Sequence, residues 1–319
     1  MQINFNTDLA DERREIYKDA NELEDEVEGI EAEDIIEGEI KKAKVKILNE
    51  KGAEAIGKPI GNYITIDFKD FKIITEDDIQ KAAESVQKSL KELVNIHVKN
   101  EEEVLVVGLG NIDITPDALG PKVVKGIEIT RHFYKFAPEY LEENSRPICA
   151  IAPGVLGTTG IETAEIITSI INNIKPKMLI VIDSLCSRSI ERISNTVQLA
   201  DTGIVPGAGV GNKREELNEK SLGIPVLAIG VPMVVEAATI VSDSIDLFIQ
   251  KEKEILEKDN IEIDKFYELI KEVEENGKYN VLKNVLAQED RNLIVTPKEI
   301  DDLINNMSNI IARGINMSL

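Results

Sequence analysis

Four short apolar runs dominate the middle of the chain: VLVVGLG at 104–110, PICAIAP at 147–153, MLIVIDS at 178–184 and PVLAIGVP at 225–232. Each is rich in Val and Ile without polar alternation, the pattern of a strand buried on both faces. Between them apolar residues recur at helical spacing. One such stretch covers about 119–136, a second runs from Gly160 through IETAEIITSIINNI to Ile174, and a third, MVVEAATIVSDSIDLFIQ, follows Pro232. Strands alternating with helices at these lengths predict an α/β fold: a mainly parallel central sheet with helices on both faces.

The flanks are less regular. Residues 8–34 are very acidic and helix-like, and KVKILNEKGAEAIGKPIGNYITID at 44–67 predicts two strands joined by a glycine-containing loop. A helix is expected at about 75–95. Residues 185–224 hold few apolar positions and a Gly-rich run, DTGIVPGAGVGNKR at 201–214, too long for an ordinary connection. Residues 251–290 are charged and predicted helical, and the tail from Pro297 to Asn316 predicts a last amphipathic helix after a Thr-Pro start. The chain shows no internal repeat and no low-complexity linker.

Composition sets bounds on this picture. With 319 residues and 42% hydrophobic content, the chain can bury a large core as one large or two modest domains. A formal charge of −22 opposes binding to phosphate backbones, so nucleic acid is not an expected direct partner. The same charge serves solubility and could favour a basic substrate. Cys149 and Cys186 lie in or beside apolar strands, with neither metal-type nor disulfide spacing, and read as buried thiols of a reducing cytoplasm. The first residues, MQINFNTDLADERRE, lack the blocks of a signal peptide, and no apolar stretch approaches the roughly 20 residues of a membrane span. The expected location is cytoplasmic, with no membrane partner.

The candidate chemistry sits at strand ends. Asp117 follows Gly110 by seven residues, and Asp183 closes the strand at 178–184. In open parallel sheets reactive groups gather beyond the carboxyl ends of strands, so the two carboxyls are expected to face one cleft. Each also has a plainer role: Asp117 could cap a helix, worth about 1 kcal/mol, and Asp183 could serve only as a partnered buried carboxylate. Gly108-Leu109-Gly110-Asn111 begins like a dinucleotide fingerprint, but the third glycine and the later acid are missing, so no cofactor is expected. His97 and His132 lie away from the strand ends and are read as structural. Ser184 and Cys186 flank Asp183 without an obvious base. A metal site built on Asp117 and Asp183, with Glu162 or Glu236, would be incomplete, and no metal is expected.

Several ordered stretches carry a family resemblance: VGLGN (107–111), TPDALGP (115–121), APGVLGTTGIET (152–163), VIDSLCSR (181–188), DTGIVPGAGVGNKR (201–214), LGIPVLAIGVPMVVEAATI (222–240), and VTPKEIDDLI with IARGIN in the tail. They resemble the germination protease family of spore-forming bacteria, which degrades small acid-soluble spore proteins. Met233 and Glu236 stand where Thr and Asp are expected, both conservative changes. The resemblance implies an endopeptidase related in fold to the hydrogenase maturation proteases, phosphorylase/hydrolase-like with insertions. It implies catalytic roles for Asp117 and Asp183, a homotetramer, small acid-soluble spore proteins as substrates, and the spore core as location.

The amino terminus adds to the resemblance. Thr7-Asp8-Leu9-Ala10-Asp11-Glu12 resembles the acid–apolar–Ala–x–Glu sequence at which this family cuts substrates and its own propeptide. The expectation is a zymogen cut between Asp8 and Leu9, giving a propeptide of residues 1–8 and a catalytic domain of 9–319 with peripheral segments at 40–75 and 251–290. The alternative is an ordinary acidic helix capped by Thr7 or Asp8. A substrate acid needs a cationic partner, and Arg188, Lys213 and Arg214 lie in the loops nearest the strand ends. Other readings are a maturation-type metallopeptidase using the same aspartates as ligands, and a binding or scaffold protein whose aspartates are only caps. A likeness of VVGLGN and Thr130-Arg131-His132 to peptidyl-tRNA hydrolase fails on spacing, on the missing Asn after the His, and on charge.

Overall fold

The computed structural model of the chain describes residues 7–69, 71, 73, 75–99, 101–141, 145–207, 214–245, 247–248 and 293–319. The amino-terminal part holds α1 (Ala10–Ala20), β1 (Ile30–Glu37), β2 (Ile40–Ile47), α2 (Glu50–Ile56), β3 (Gly61–Asp67) and α3 (Glu76–His97). The central part follows with β4 (Val104–Gly108), α4 (Leu119–Lys125), α5 (Arg131–Phe136), β5 (Ile148–Ile151), α6 (Leu156–Thr159), α7 (Thr163–Ile174) and β6 (Met178–Ser187). After it come β7 (Thr196–Ala200), α8 (Glu219–Leu222), β8 (Val226–Glu236), β9 (Ile294–Val295) and α9 (Ile300–Ser318).

Among the described residues one sheet runs in the order β1-β2-β3-β7-β8-β6-β4-β5, with β9 on β8. The four apolar runs are β5, β4, β6 and β8, and they pair in parallel as expected. The sheet then continues in antiparallel pairing through β7, β3, β2 and β1. The fold is therefore mixed α/β: a parallel heart with an antiparallel wing. Strand periodicity divides the heart's side chains between two cores. Val104, Val106, Ile180, Ile182 and Ile229 face α3, α4 and α9, while Leu105, Val107, Leu179 and Val181 face α7. The second layer of helices is why the heart strands read as unbroken apolar runs.

Several local expectations differ from the fold. The helical reading of 8–34 applies only to α1, because Ile30, paired with Ile47, places its segment as a strand in the wing. The loop expected between the strands of 44–67 contains α2, capped by Asn49 and ended at Gly57 in the left-handed conformation. The helix expected over 119–136 is two helices, α4 and α5. Strand β8 continues through Pro232 to Glu236, and residues 237–245 are helical. Pro232 sits opposite Leu185 beside a register shift in β6, where a missing donor is tolerated. Strand β7, expected as loop, is held between β3 and β8. The expected helix at 251–290 lies outside the described residues.

The helix layer is locally encoded. Thr75 and Asp78 exchange side-chain and backbone hydrogen bonds at the start of α3, at 2.8 and 3.2 Å. Gly314 of α9 lets that helix press on Val86 of α3, since a Cβ there would come within 2.8 Å of its side chain. A tighter contact locates the candidate site: a Cβ on Gly108 at the end of β4 would lie 2.1 Å from the Gly120 carbonyl oxygen of α4. Gly108→Ala is expected to destabilise the protein by roughly 1–3 kcal/mol through overpacking. Urea unfolding checks this; an unchanged midpoint would contradict the close approach of β4 and α4.

Candidate functional site

Asp117 and Asp183 reach one cavity by different routes. Strand β4 ends at Gly108, opposite Ile182, and the chain turns through Gly110 at φ +109°, a conformation open to glycine. The loop closes when Asp117, in a 3-10 turn at Thr115–Asp117, accepts the Asn111 N–H through Oδ2 at 2.8 Å. A Cβ on Gly110 would strike the Asp117 carbonyl oxygen at 2.0 Å. Asp117 makes no side-chain cap on α4, so its carboxyl braces the strand-end loop instead.

Asp183 arrives on β6, one residue past the end of β4, continuing the face of Leu179 and Val181. It is 7% exposed, and its Oδ1 accepts the Ser184 N–H at 2.9 Å. Burial, reinforced by the Asp117 charge and then by Asp8, holds the Asp183 carboxyl well above the usual carboxylate range. Burial raises Asp117 as well, offset by the Asn111 hydrogen bond. Both line a cavity of about 1010 Å³, which also holds Asp8, Ser184, Lys58 and Arg214. The Ser184 Oγ is buried without a hydrogen-bond partner among the described residues.

The Asp8–Leu9 segment lies in the same place. Beyond Ile182 the edge of β6 that faced β4 is open, and the amino-terminal segment occupies it. Asp8 N–H donates to the Cys186 carbonyl at 2.9 Å, and the Asp8 carboxylate accepts the Cys186 N–H at 2.9 Å. Gln198 clasps the segment from β7, donating to the Asp8 carbonyl at 3.1 Å and accepting the Ala10 N–H at 2.7 Å. Leu9 and Ala10 are fully buried. Glu12 accepts the Thr7 hydroxyl and the Arg188 N–H, and Arg192 pairs with Asp11 at 2.6 Å and Glu12 at 3.3 Å. Burial raises Glu12 despite these partners. Neither Thr7 nor Asp8 caps α1 in the ordinary sense; its N-cap is Leu9.

The proposed cationic partners fall differently. Arg188 holds Asp243 with both guanidinium ends, at 2.8 and 2.9 Å, and does not line the cavity. Arg214 lines it but pairs with Glu162 at 3.3 Å. Lys213 lies outside the described residues. Arg13 and Lys58, which sequence reasoning passed over, line the cavity beside Asp8. The only advance signal was a cation five residues past Asp8; Lys58 is remote in the chain and comes close only through the wing.

The remaining reactive groups stand apart. His97 approaches Asp201 at 3.5 Å, and His132 stacks on Phe133. Cys149 and Cys186 are thiols rather than a disulfide; burial pushes Cys149 up to about 11 and raises Cys186 further. Among the described residues no three His, Cys, Asp or Glu side chains are grouped to hold a metal ion. Glu236 is buried in β8, and Glu162 is engaged by Arg214. No helix among the described residues is long and apolar enough to cross a membrane.

A family model described as "Germination protease" matches residues 7–266 and 251–319. Similar curated proteins carry the same name. One from Clostridium perfringens (strain SM101 / Type A) is 48% identical over 99% of this chain and 95% of its own length. One from Clostridium tetani is 45% identical over 99% and 96%, and one from Geobacillus sp. (strain WCH70) is 41% identical over 98% and 93%. Among solved structures, the [NiFe] hydrogenase maturation protease HycI from Thermococcus kodakarensis KOD1 is similar at 16% identity and a TM-score of 0.29, over 46% of this chain and 80% of that one.

The pH dependence of stability follows from Asp183. Its folded pKa is raised above an unfolded value of about 3.9, so the stability it contributes is fully present below about pH 4 and is lost as pH rises through the folded value. Asp183→Asn cannot ionise. Its melting temperature relative to the parent chain is therefore expected to climb as pH rises above about 4. A difference that stays flat in a calorimetric pH series would contradict the buried, raised carboxyl.

Proposed function

The chain belongs to the germination protease family and is an endopeptidase of spore germination, and from that premise we propose that Asp117 and Asp183 are its catalytic pair. One observation carries the reading: two carboxyls with raised pKa values share a cavity that Asp8 also lines. Facing carboxyls do not both ionise easily, so the pair keeps one proton between them. The ionised member draws a proton from water, and the resulting hydroxide adds to the scissile carbonyl carbon. The protonated member hydrogen-bonds the carbonyl oxygen, and a proton passes to the departing amine as the C–N bond breaks. The pair titrates as a unit, so the roles of base and acid belong to the pair. The Ser184 hydroxyl is available to hydrogen-bond water or the carbonyl oxygen.

The open edge of β6 supports a peptide-binding role. An extended segment laid there pairs with the Cys186 backbone, and main-chain hydrogen bonding of this kind accepts many sequences while pockets select side chains. In the same reading the chain is a zymogen that removes residues 1–8, acts in the spore core on small acid-soluble spore proteins, and assembles as a homotetramer. The presence of Asp8 in the cavity that Asp183 lines supports self-processing.

Incubation with a peptide containing Thr-Glu-Phe-Ala-Ser-Glu, with and without chelator, tests the activity. Mass spectrometry is expected to show cutting after the first Glu and loss of residues 1–8 from the protein, both insensitive to chelator. Asp117→Asn and Asp183→Asn are each expected to lower kcat/KM by at least about 10²-fold. Full activity in either variant would remove that residue from the mechanism, and chelator-sensitive cutting would favour a metallopeptidase. Sedimentation equilibrium checks the assembly: a mass of four chains is expected, and a monomer would contradict it.

A further inference from the structure

We propose that Lys58 and Arg13, with the Cys186 N–H, form an anion subsite that holds the acidic side chain on the amino side of the cut bond, in Asp8 of the chain itself and then in substrate proteins. The inference rests on the endopeptidase reading above. Its basis is that two cations line the cavity that Asp8, Asp117 and Asp183 also line, and that the Asp8 charge acts on both of them.

Local structure fixes both cations. The Arg13 Nε donates to the Thr7 carbonyl at 2.8 Å, and its Nη1 lies 3.5 Å from the Ile56 carbonyl. Gly57, at φ +65°, ends α2 and passes so close that a Cβ there would lie 3.2 Å from Arg13 Nη1. That turn delivers Lys58 into the cavity beside Arg13. Among the described residues the Lys58 ammonium has no ion pair or hydrogen bond. Burial, against the raising effect of the Asp8 carboxylate and with a smaller push from Arg13, brings it down to about 8.

Two neighbouring cations repel each other, and the charge of the Asp8 carboxylate in the same cavity opposes that repulsion at both. Arg188 and Arg214 have carboxylate partners of their own, so they are not available in the same way. If residues 1–8 depart, Asp8 leaves the subsite, and Lys58, Arg13 and the Cys186 N–H remain as donors for another carboxylate. A Lys or neutral residue at that position would leave the cations without an anion, which is a basis for selectivity.

The test uses the full-length protein after self-processing and two peptides differing only in Glu or Gln before the cut bond. The parent chain is expected to prefer the Glu peptide by roughly 10–100-fold in kcat/KM, the scale of hydrogen bonds to a charged group. Lys58→Met is expected to cut that preference to about threefold or less while leaving the Gln peptide's rate within about twofold, which also reports an intact fold. Lys58→Arg is expected to restore most of the preference. Equal cleavage of both peptides by the parent, or a preference undiminished in Lys58→Met, would overturn the subsite and leave the endopeptidase standing. Cleavage of neither peptide by the parent chain would instead overturn the endopeptidase reading, and the subsite with it.

Discussion

A carboxyl placed at the end of a buried central strand constrains everything around the site. Asp183 is carried by β6, which lies between β8 and β4, and it is almost out of contact with solvent. An ionised carboxylate in that position is costly, so the group holds its proton unless the surroundings compensate. Among the described residues its hydrogen bond is from the Ser184 N–H, and the charges that act on it are other acids, Asp117 and Asp8. The fold does not neutralise this carboxyl; it surrounds it with conditions that favour the protonated form. Such a group, next to a second carboxyl of higher solvent access, suits proton transfer more than structural bracing.

The geometry that makes this possible is a mismatch of strand lengths. Strand β6 runs five residues beyond the register partner of Gly108, and over that stretch its edge toward β4 is open. The shortness of β4 leaves room for two things: the glycine-tight loop that brings Asp117 across, and the extended segment at Asp8. Beyond Asp8 the segment is anchored by acids, Asp11 and Glu12, buried on Arg192. Breaking such a buried arrangement by removing one partner is far more costly than losing an exposed pair. The anchor sits on the carboxyl side of the Asp8–Leu9 bond, while Thr7 and Asp8 before it are held by hydrogen bonds with Glu12, Arg13, Cys186 and Gln198. A chain of net charge −22 thus places a small set of cations inside, each opposite particular acids.

The heart of the fold was legible in sequence because its strands are buried on both faces, and unbroken Val and Ile runs mark such strands directly. Asp183 was legible for a related reason, since an acid directly after such a run marks the carboxyl edge of the sheet, and Asp117 lies in the loop that follows the β4 run. The wing was less legible. Strand β1 alternates Ile with acids in IEAEDIIE and has much of its surface exposed, so its charge reads as an acidic helix until pairing with β2 is known. Strand β7, five residues long, depends on β3 and β8 for its place. Lys58 could not be read at all, because nothing near it in sequence identifies α2 as a neighbour of Asp8; tertiary closure of the wing does that. Arg188 looked well placed from its position after β6, but Asp243, fifty-five residues on, takes its guanidinium.

On the catalytic reading proposed above, the two aspartates share a proton in one cavity. Site-resolved carboxyl carbon NMR of aspartate-labelled protein, titrated across pH, tests it most directly. With a shared proton, the Asp183 carboxyl remains protonated well above the ordinary aspartate range, and replacing Asp117 with Asn lowers its midpoint by removing a like charge. Two carboxyls titrating independently near about pH 4, each indifferent to loss of the other, would contradict it.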